Sequence, residues 1–136
     1  MTIRNITKKD IENFDRLRNV KWETICNSMS FIMFDDEDNL MCYMVLEKEG
    51  ICPNVLFEDE TKNYKILDVF VRNSNPFGSD ILNFKRLFWI VLTCDNFLSM
   101  YWTEYNDNID KILKTIRFAN VGDKYLTFYK SKNYIP

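Results

Sequence analysis

From Tyr64 to Phe118 the spacing of apolar residues changes period three times. Tyr64 to Val71 reads Tyr-Lys-Ile-Leu-Asp-Val-Phe-Val, an apolar run with the length and composition of a buried strand. Arg72 to Gly78 combines Asn, Ser, Pro and Gly and cannot continue regular structure. Ser79 or Asp80 then caps a helix, and Ile81, Phe84, Leu87, Phe88, Val91 and Leu92 fall on one face of it as far as Asp95-Asn96. Phe97 to Trp102 returns to alternation, with apolar groups on both sides, as in a strand covered on both faces in the middle of a mixed sheet. Asn106-Asp107-Asn108 caps a second helix, in which Ile109, Ile112, Leu113 and Ile116 share a face. Lys111, Lys114 and Arg117 lie toward its C-terminus, where cations favour the helix dipole.

The flanks read as hairpins and a helical segment. Thr2 to Thr7 is a short strand. Thr7 opens a helix, because Thr7-Lys8-Lys9-Asp10 has capping-box spacing with Asp in the usual Glu position. Ile11, Phe14, Leu17 and Val20, continued by Trp22 and Ile25, predict one long helix or two short ones ending near Asn27-Ser28. Ser30 to Phe34, an acidic turn Asp35-Asp36-Glu37-Asp38-Asn39, and Leu40 to Glu47 form a hairpin. The acidic turn lacks the Gly and distal Glu of a calcium loop and is a solvated tip, so no metal is expected there. Lys48 to Asn63 is irregular, with Val55-Leu56-Phe57 as a short strand or packed loop. Phe118 to Val121 and Tyr125 to Lys130 close the chain as a second hairpin.

A chain of 136 residues that is 46% hydrophobic suits one domain with one core, residues 1–136. The net charge of −2 gives no general pull toward nucleic acid or anionic membrane. Lys8, Lys9, Arg16, Arg18 and Lys21 lie close together, but Asp10, Glu12 and Asp15 interrupt them, so they read as a solvated face. With no His and no Cys-x-x-Cys pair, the usual Cys/His zinc sites, His triads and His general bases are excluded. Cys26, Cys42 and Cys94 sit in apolar periodic segments as small hydrophobes, which suits a reducing cytosol. No signal peptide or membrane span is expected. Fifteen Asn, twelve Lys and thirteen Ile against a single Ala imply an AT-rich gene, as in a low-GC bacterium or its phage.

The order β, α, β-hairpin, β, Gly-loop, α, β, α, β-hairpin resembles the GNAT acyl-CoA-dependent N-acetyltransferases over essentially the whole chain. The tightest correspondence is at the end. The family often has Asn after the fifth strand, apolar residues three and six on, Tyr seven on, then Gly-Phe eleven and twelve on. Here that register falls on Asn106, Ile109, Ile112, Leu113, Arg117 and Phe118. The opening Thr2-Ile3-Arg4 and the block Ile112-Leu113-Lys114-Thr115-Ile116 are also similar to small GNAT-like proteins of short-tailed phages, some of them virion or assembly factors. The resemblance implies an α+β domain built on a central, mostly antiparallel mixed sheet of six or seven strands with three or four helices. It also implies that the strands at Tyr64 and Phe97 pair in parallel and part at their ends. An entirely antiparallel sheet would instead mean a different α+β interaction module.

The departures bear on chemistry. An acyl-CoA site needs backbone N–H groups aimed at a diphosphate at a helix N-terminus. The family's loop, Arg or Gln, two residues, Gly, one residue, Gly or Ala, maps onto Asn75-Pro76-Phe77-Gly78-Ser79-Asp80. Gly78 fits. Asn75 replaces the basic or amide position, Pro76 lacks an N–H, and Asp80 is expected to place a carboxylate where phosphates would lie. The family's acidic Tyr falls on Leu113. Glu104 and Tyr105, near the end of the fifth strand, are the substitute catalytic candidates, Glu104 as a base acting through a water. Tyr101 beside them reads as packing. If acyl-CoA binds, Phe70, Val71, Asn75, Gly78, Ser79 and Asn106 are the residues expected to hold it.

The resulting expectation is a GNAT-fold protein with a degenerate acyl-CoA site. It would be phage-encoded and would act without catalysis through protein partners, in virion assembly, as an internal virion component or against a host factor, with no cofactor. Its compartment would be the cytoplasm of a bacterial host or the virion. The alternative is an active N-acetyltransferase using acetyl-CoA, in which Asp80 must point away from the loop.

Overall fold

The computed structural model describes residues 1–49, 63–94, 99–104, 106–121 and 125–129. Strands β1 (Thr2–Asn5), β2 (Phe31–Phe34), β3 (Leu40–Glu49), β4 (Asn63–Val71), β5 (Ser99–Trp102), β6 (Ala119–Val121) and β7 (Tyr125–Tyr129) form one sheet in the order β1-β2-β3-β4-β5-β7-β6. The helices are α1 (Lys8–Asn13), α2 (Ser79–Cys94) and α3 (Asp107–Thr115). The expected strands at Val55-Leu56-Phe57, the ends of the Phe97 and Tyr125 strands at Phe97, Leu98 and Lys130, and the α2 stop at Asp95-Asn96 lie outside the described residues.

All neighbouring strands are antiparallel except β4 and β5, which run parallel because one helix, α2, carries the chain between them. Their pairing is short: Asn63, Tyr64 and Lys65 face Ser99, Met100 and Tyr101. A buried hydrogen bond from the Ser99 hydroxyl to Asn63 Oδ1, 2.7 Å, pins the start of this ladder. From Ile66 to Val71, β4 runs on without a partner on β5, so the two strands part at the end where α2 and α3 begin.

Two cores cover the two faces of the sheet. On one face Ile81, Phe84, Leu87, Phe88, Val91 and Leu92 of α2 and Ile109, Ile112 and Leu113 of α3 pack on Tyr64, Ile66, Val69 and Val71 of β4. Every apolar position assigned to the two helices from their periodicity is therefore buried. On the other face Ile6, Leu17, Ile25, Ile32, Tyr43 and Val45 form a smaller core. Trp102 donates its indole N–H to Asp110 Oδ1 at 3.1 Å, tying α3 to β5.

Of the one long helix or two short ones expected over Ile11 to Ile25, the structure has one short helix followed by two single turns. α1 stops at Asn13 because Phe14 turns extended, and Asp15–Leu17 and Trp22–Thr24 are single 3-10 turns. The apolar spacing still delivers Leu17 and Ile25 to the smaller core; consecutive short turns satisfy it as well as a helix does. The start of α1 follows its cap. Thr7 accepts the Asp10 amide, and Asp10 reaches back to the Thr7 amide at 2.8 Å. Arg4 clamps the same carboxylate from two nitrogens, at 2.7 and 2.9 Å. Burial raises the affinity of Asp10 for a proton, but the Arg4 and Thr7 hydrogen bonds outweigh it and the carboxyl sits below its ordinary value. Thr7→Ala should cost about 1 kcal/mol in urea unfolding, the usual worth of such a cap.

α3 ends in a Schellman closure: the Phe118 amide bonds to the Leu113 carbonyl at 3.2 Å and the Arg117 amide to the Lys114 carbonyl at 3.3 Å. Arg117 takes φ 71° to make it, the left-handed conformation for which glycine is suited. This is the position where the family register has Gly. Arg117→Gly should therefore stabilise the fold, by roughly 0.5–1 kcal/mol in the same assay, through relief of that strain.

Candidate functional site

The site lies where β4 and β5 part, and a β-bulge shapes it. Val45 of β3 pairs with Asp68, and the next residue, Leu46, pairs with Ile66, leaving Leu67 as the extra residue on β4. Tyr64 and Ile66 before the bulge and Val69 and Val71 after it face the larger core. Leu67 and Asp68 are both delivered to the opposite face, where they line a cleft of about 750 Å³ with Arg16, Lys21 and Glu104. Bulges of this kind re-aim side chains beside binding sites.

Asp68 is held from two directions. The Tyr43 hydroxyl donates to its Oδ2 at 2.5 Å and the Val69 amide to its Oδ1 at 2.8 Å. Tyr43 is fully buried, stacks on Phe70 with ring centroids 5.5 Å apart, and accepts the Arg16 Nε at 3.2 Å. The Arg16 guanidinium lies 4.7 Å from the centre of the Phe70 ring. Burial pushes the Asp68 carboxyl above its ordinary value; the Tyr43 hydrogen bond and the Arg16 charge partly offset this, while the Glu104 charge adds to it. Burial, then the bond to Asp68, likewise pushes the Tyr43 phenol up. The result is a carboxyl group with raised basicity, aimed into a solvent-reached cleft.

Sequence reasoning missed Asp68, Tyr43 and Arg16. The available signal was a carboxylate inside the otherwise apolar run Ile66 to Val71. Of the named candidates, Glu104 is exposed and stands on the same cleft as Asp68. Tyr105 lies outside the described residues. Leu113 is fully buried in the larger core, with no acidic group in its place. Tyr101 is buried, as a packing residue should be.

The loop before α2 differs from expectation at its most consequential residue. Asp80 does not reach toward the loop. It is 5% exposed and forms a two-pronged pair with Arg72, Nε to Oδ2 at 2.9 Å and an Nη to Oδ1 at 3.0 Å. The same guanidinium takes Asp35 of the acidic β2–β3 turn at 2.7 Å. That bond, with the Asn39 amide, holds the Asp35 carboxyl down at about 2. The acidic turn is therefore an anchor for Arg72 as well as a solvated tip. Arg72 directs the Asp80 carboxylate into the protein and neutralises it.

The remaining loop residues are divided. Asn75 closes the loop on itself: its side chain accepts the Phe77 amide at 3.1 Å, its carbonyl the Gly78 amide at 2.9 Å, and its own amide bonds to Asn73. A Cβ on Gly78 would stand 3.2 Å from that carbonyl, which explains glycine here. The amides of Ser79, Asp80 and Ile81, in the first turn of α2, donate to no group among the described residues. Phe70 is part of the Arg16–Tyr43 stack and Val71 is buried in the larger core; both belong to the stretch of β4 that pairs with β3 and has no partner on β5. Asn106 is occupied as the cap of α3, accepting the Ile109 amide at 3.1 Å. Cys42, nearby on β3, is buried, and its thiol is pushed up to about 12 by burial and then by the Asp80 charge, so it is not a nucleophile. Among the described residues no three potential metal ligands cluster, and no helix is long and apolar enough to cross a membrane.

No protein-family model and no curated protein matches the sequence. Solved structures do match. A proposed phosphinothricin N-acetyltransferase superposes with a TM-score of 0.61 at 12% identity, over 96% of this chain and 99% of that one. A spermidine N-acetyltransferase SpeG chimera from Vibrio cholerae and hSSAT gives 0.58 at 14% identity, over 95% and 96%. A protein designated an acetyltransferase from Staphylococcus epidermidis gives 0.57 at 14%, over 96% and 99%. The seven-stranded mixed sheet agrees with that likeness, and this chain has the GNAT fold.

Proposed function

We propose that the protein is an acyl-CoA-dependent acyltransferase that takes an amine acceptor in the Asp68 cleft. The observation that carries this reading is the bulge at Leu67. It turns a half-buried strand carboxylate, Asp68, out to the opening between β4 and β5, on one cleft with Glu104. The residues present fit a bound acyl-CoA. Asp80 is withdrawn and neutralised, three amides at the start of α2 are free for a diphosphate, and Ile66 to Val71 offers an unpaired strand edge for an extended pantetheine-like arm. Bound acyl-CoA would supply an activated thioester and a thiolate leaving group. Asp68 takes the proton that an ammonium acceptor must lose before it can attack, a role that suits a carboxyl whose proton affinity is raised. Tyr43 fixes which Asp68 oxygen faces the cleft, and Glu104 holds the acceptor's positive charge at the mouth. With Leu113 in the usual acid position, the leaving thiolate is protonated by solvent, and positioning supplies much of the rate.

The test is release of free thiol from acetyl-CoA in the presence of a panel of primary amines, wild type against Asp68→Asn. Amine-dependent release that Asp68→Asn abolishes supports the reading. No release with any amine, or release indifferent to Asp68, would remove it. A second reading is a phage-encoded scaffold that binds partners and transfers nothing. It is favoured by the self-closed Asn75 loop, which spends three amides that a diphosphate would otherwise use.

A further inference from the structure

The face of α2 that turns from the core carries apolar groups it does not need for folding. Leu82 and Trp89 are 52% and 47% exposed, and seven residues apart they lie on one side of the helix. Beside Trp89 runs a groove of about 510 Å³ lined by Ile3 of β1 and by Lys85, Arg86, Trp89 and Ile90. On the other side of Trp89 a smaller depression, about 230 Å³, includes Lys85 and Arg117. No acidic side chain lines either one. Lys85, Arg86 and Arg117 have no acidic partner among the described residues; Arg86 meets only Asn83, at 3.3 Å. An exposed indole thus sits among three cations with no acidic partner among the described residues, on a chain whose net charge is −2. The groove also runs beside the edge of the sheet: β1 is the terminal strand, and its outer side pairs with no described strand.

We propose that this surface docks an acidic, extended segment of another protein, which adds as a strand along β1, sets an apolar side chain against Trp89 and Ile3, and brings carboxylates to Lys85 and Arg86. An open strand edge supplies main-chain partners for such a segment. Trp and Arg are the residue types that most often dominate binding energy. Charge decides the partner's chemistry: a segment with alternating carboxylates satisfies cations that have no acidic partner among the described residues. A second copy is disfavoured by the same fact, since a two-fold axis through the groove would bring Lys85 and Arg86 toward their own equivalents. The surface lies on the opposite side of the sheet from the Asp68 cleft, and the proposal does not depend on acyl transfer.

The test is fluorescence anisotropy with a labelled peptide alternating Glu and Leu, compared with one alternating Lys and Leu and with a thymidine oligonucleotide. Sedimentation velocity on the protein alone accompanies it. The Glu–Leu peptide should bind, and added salt should weaken it. Trp89→Ala and the double variant Lys85→Glu/Arg86→Glu should each lose about tenfold or more in affinity, a hot-spot effect. Amide exchange at residues 2–5 should slow when the peptide binds. All these side chains are exposed, so both variants should keep the wild-type unfolding curve. Failure of the Glu–Leu peptide to bind, equal affinity for the two peptides, or affinity unchanged in both variants would overturn the proposal. A preference for the oligonucleotide would reassign the surface to nucleic acid, and a dimer dissociated by Trp89→Ala would reassign it to a second copy.

Discussion

Asp68→Asn is expected to lower amine-dependent turnover by about 10²–10³-fold while leaving acetyl-CoA affinity unchanged, the effect of removing a general base that does not touch the cofactor. The pH profile gives the sharper check. Activity requires Asp68 without its proton, so it should fall on the acid side of the Asp68 pKa, which burial places above the ordinary carboxylate range. Tyr43→Phe removes a hydrogen bond that favours the charged form and should move that limb to higher pH. Glu104→Gln removes a neighbouring negative charge and should move it to lower pH. Opposite shifts from two substitutions on one cleft are hard to produce by a general loss of structure. Stability supplies a control. A carboxyl whose folded pKa is raised contributes stability that is complete below its unfolded pKa and is lost as pH rises through the folded one. Asp68→Asn should therefore be no less stable than wild type at neutral pH, so lost turnover cannot be lost folding.

Arg72→Ala should weaken acetyl-CoA binding by about ten- to hundredfold. The guanidinium holds Asp80 inward; without it, a carboxylate at the first turn of α2 is free to turn toward the diphosphate. Two unit charges about 4 Å apart repel by roughly 1 kcal/mol in water and about 4 near a protein surface. The same substitution strands a carboxylate whose side chain is only 6% exposed, so the denaturation midpoint should fall as well. Its pH signature is specific. Asp35, held at about 2 against an ordinary 3.8, contributes stability present above 3.8 and lost as pH falls toward 2. Arg72→Ala removes the largest cause of that depression, so acid titration of the variant should show a smaller loss over this range. A wild-type acid profile, or unchanged affinity for acetyl-CoA, would contradict the role given to Arg72.

What the sequence disclosed, and what it hid, follows from the range of the forces involved. The apolar face of α2, the Asn106 cap and the Thr7–Asp10 capping box depend on residues within a turn or two, and they read directly. The parallel pairing of β4 with β5 was implied by the family resemblance, and the single helix between them accounts for it. After Asn13 the periodicity left one long helix or two short ones open, because apolar residues three apart serve 3-10 turns as well as a helix; the extended Phe14 ends α1. Asp68 was hidden by the bulge at Leu67. A strict period of two gives no warning that one extra residue re-aims the next, and only pairing with β3 reveals it. Asp80 was placed correctly along the chain and wrongly in direction. Its orientation is decided by Arg72, eight residues earlier, and by Asp35 on another hairpin, contacts that spacing does not encode. The correction bears on the proposed function: the residue expected to close an acyl-CoA site is paired with Arg72 instead.

Calorimetric titration of acetyl-CoA into the wild type and into Asp80→Gly tests that point most directly. The wild type should bind in the micromolar range, and Asp80→Gly, which gives up the Arg72 anchor without clearing any obstruction, should bind no more tightly. A wild type that does not bind, beside an Asp80→Gly variant that does, would contradict the account.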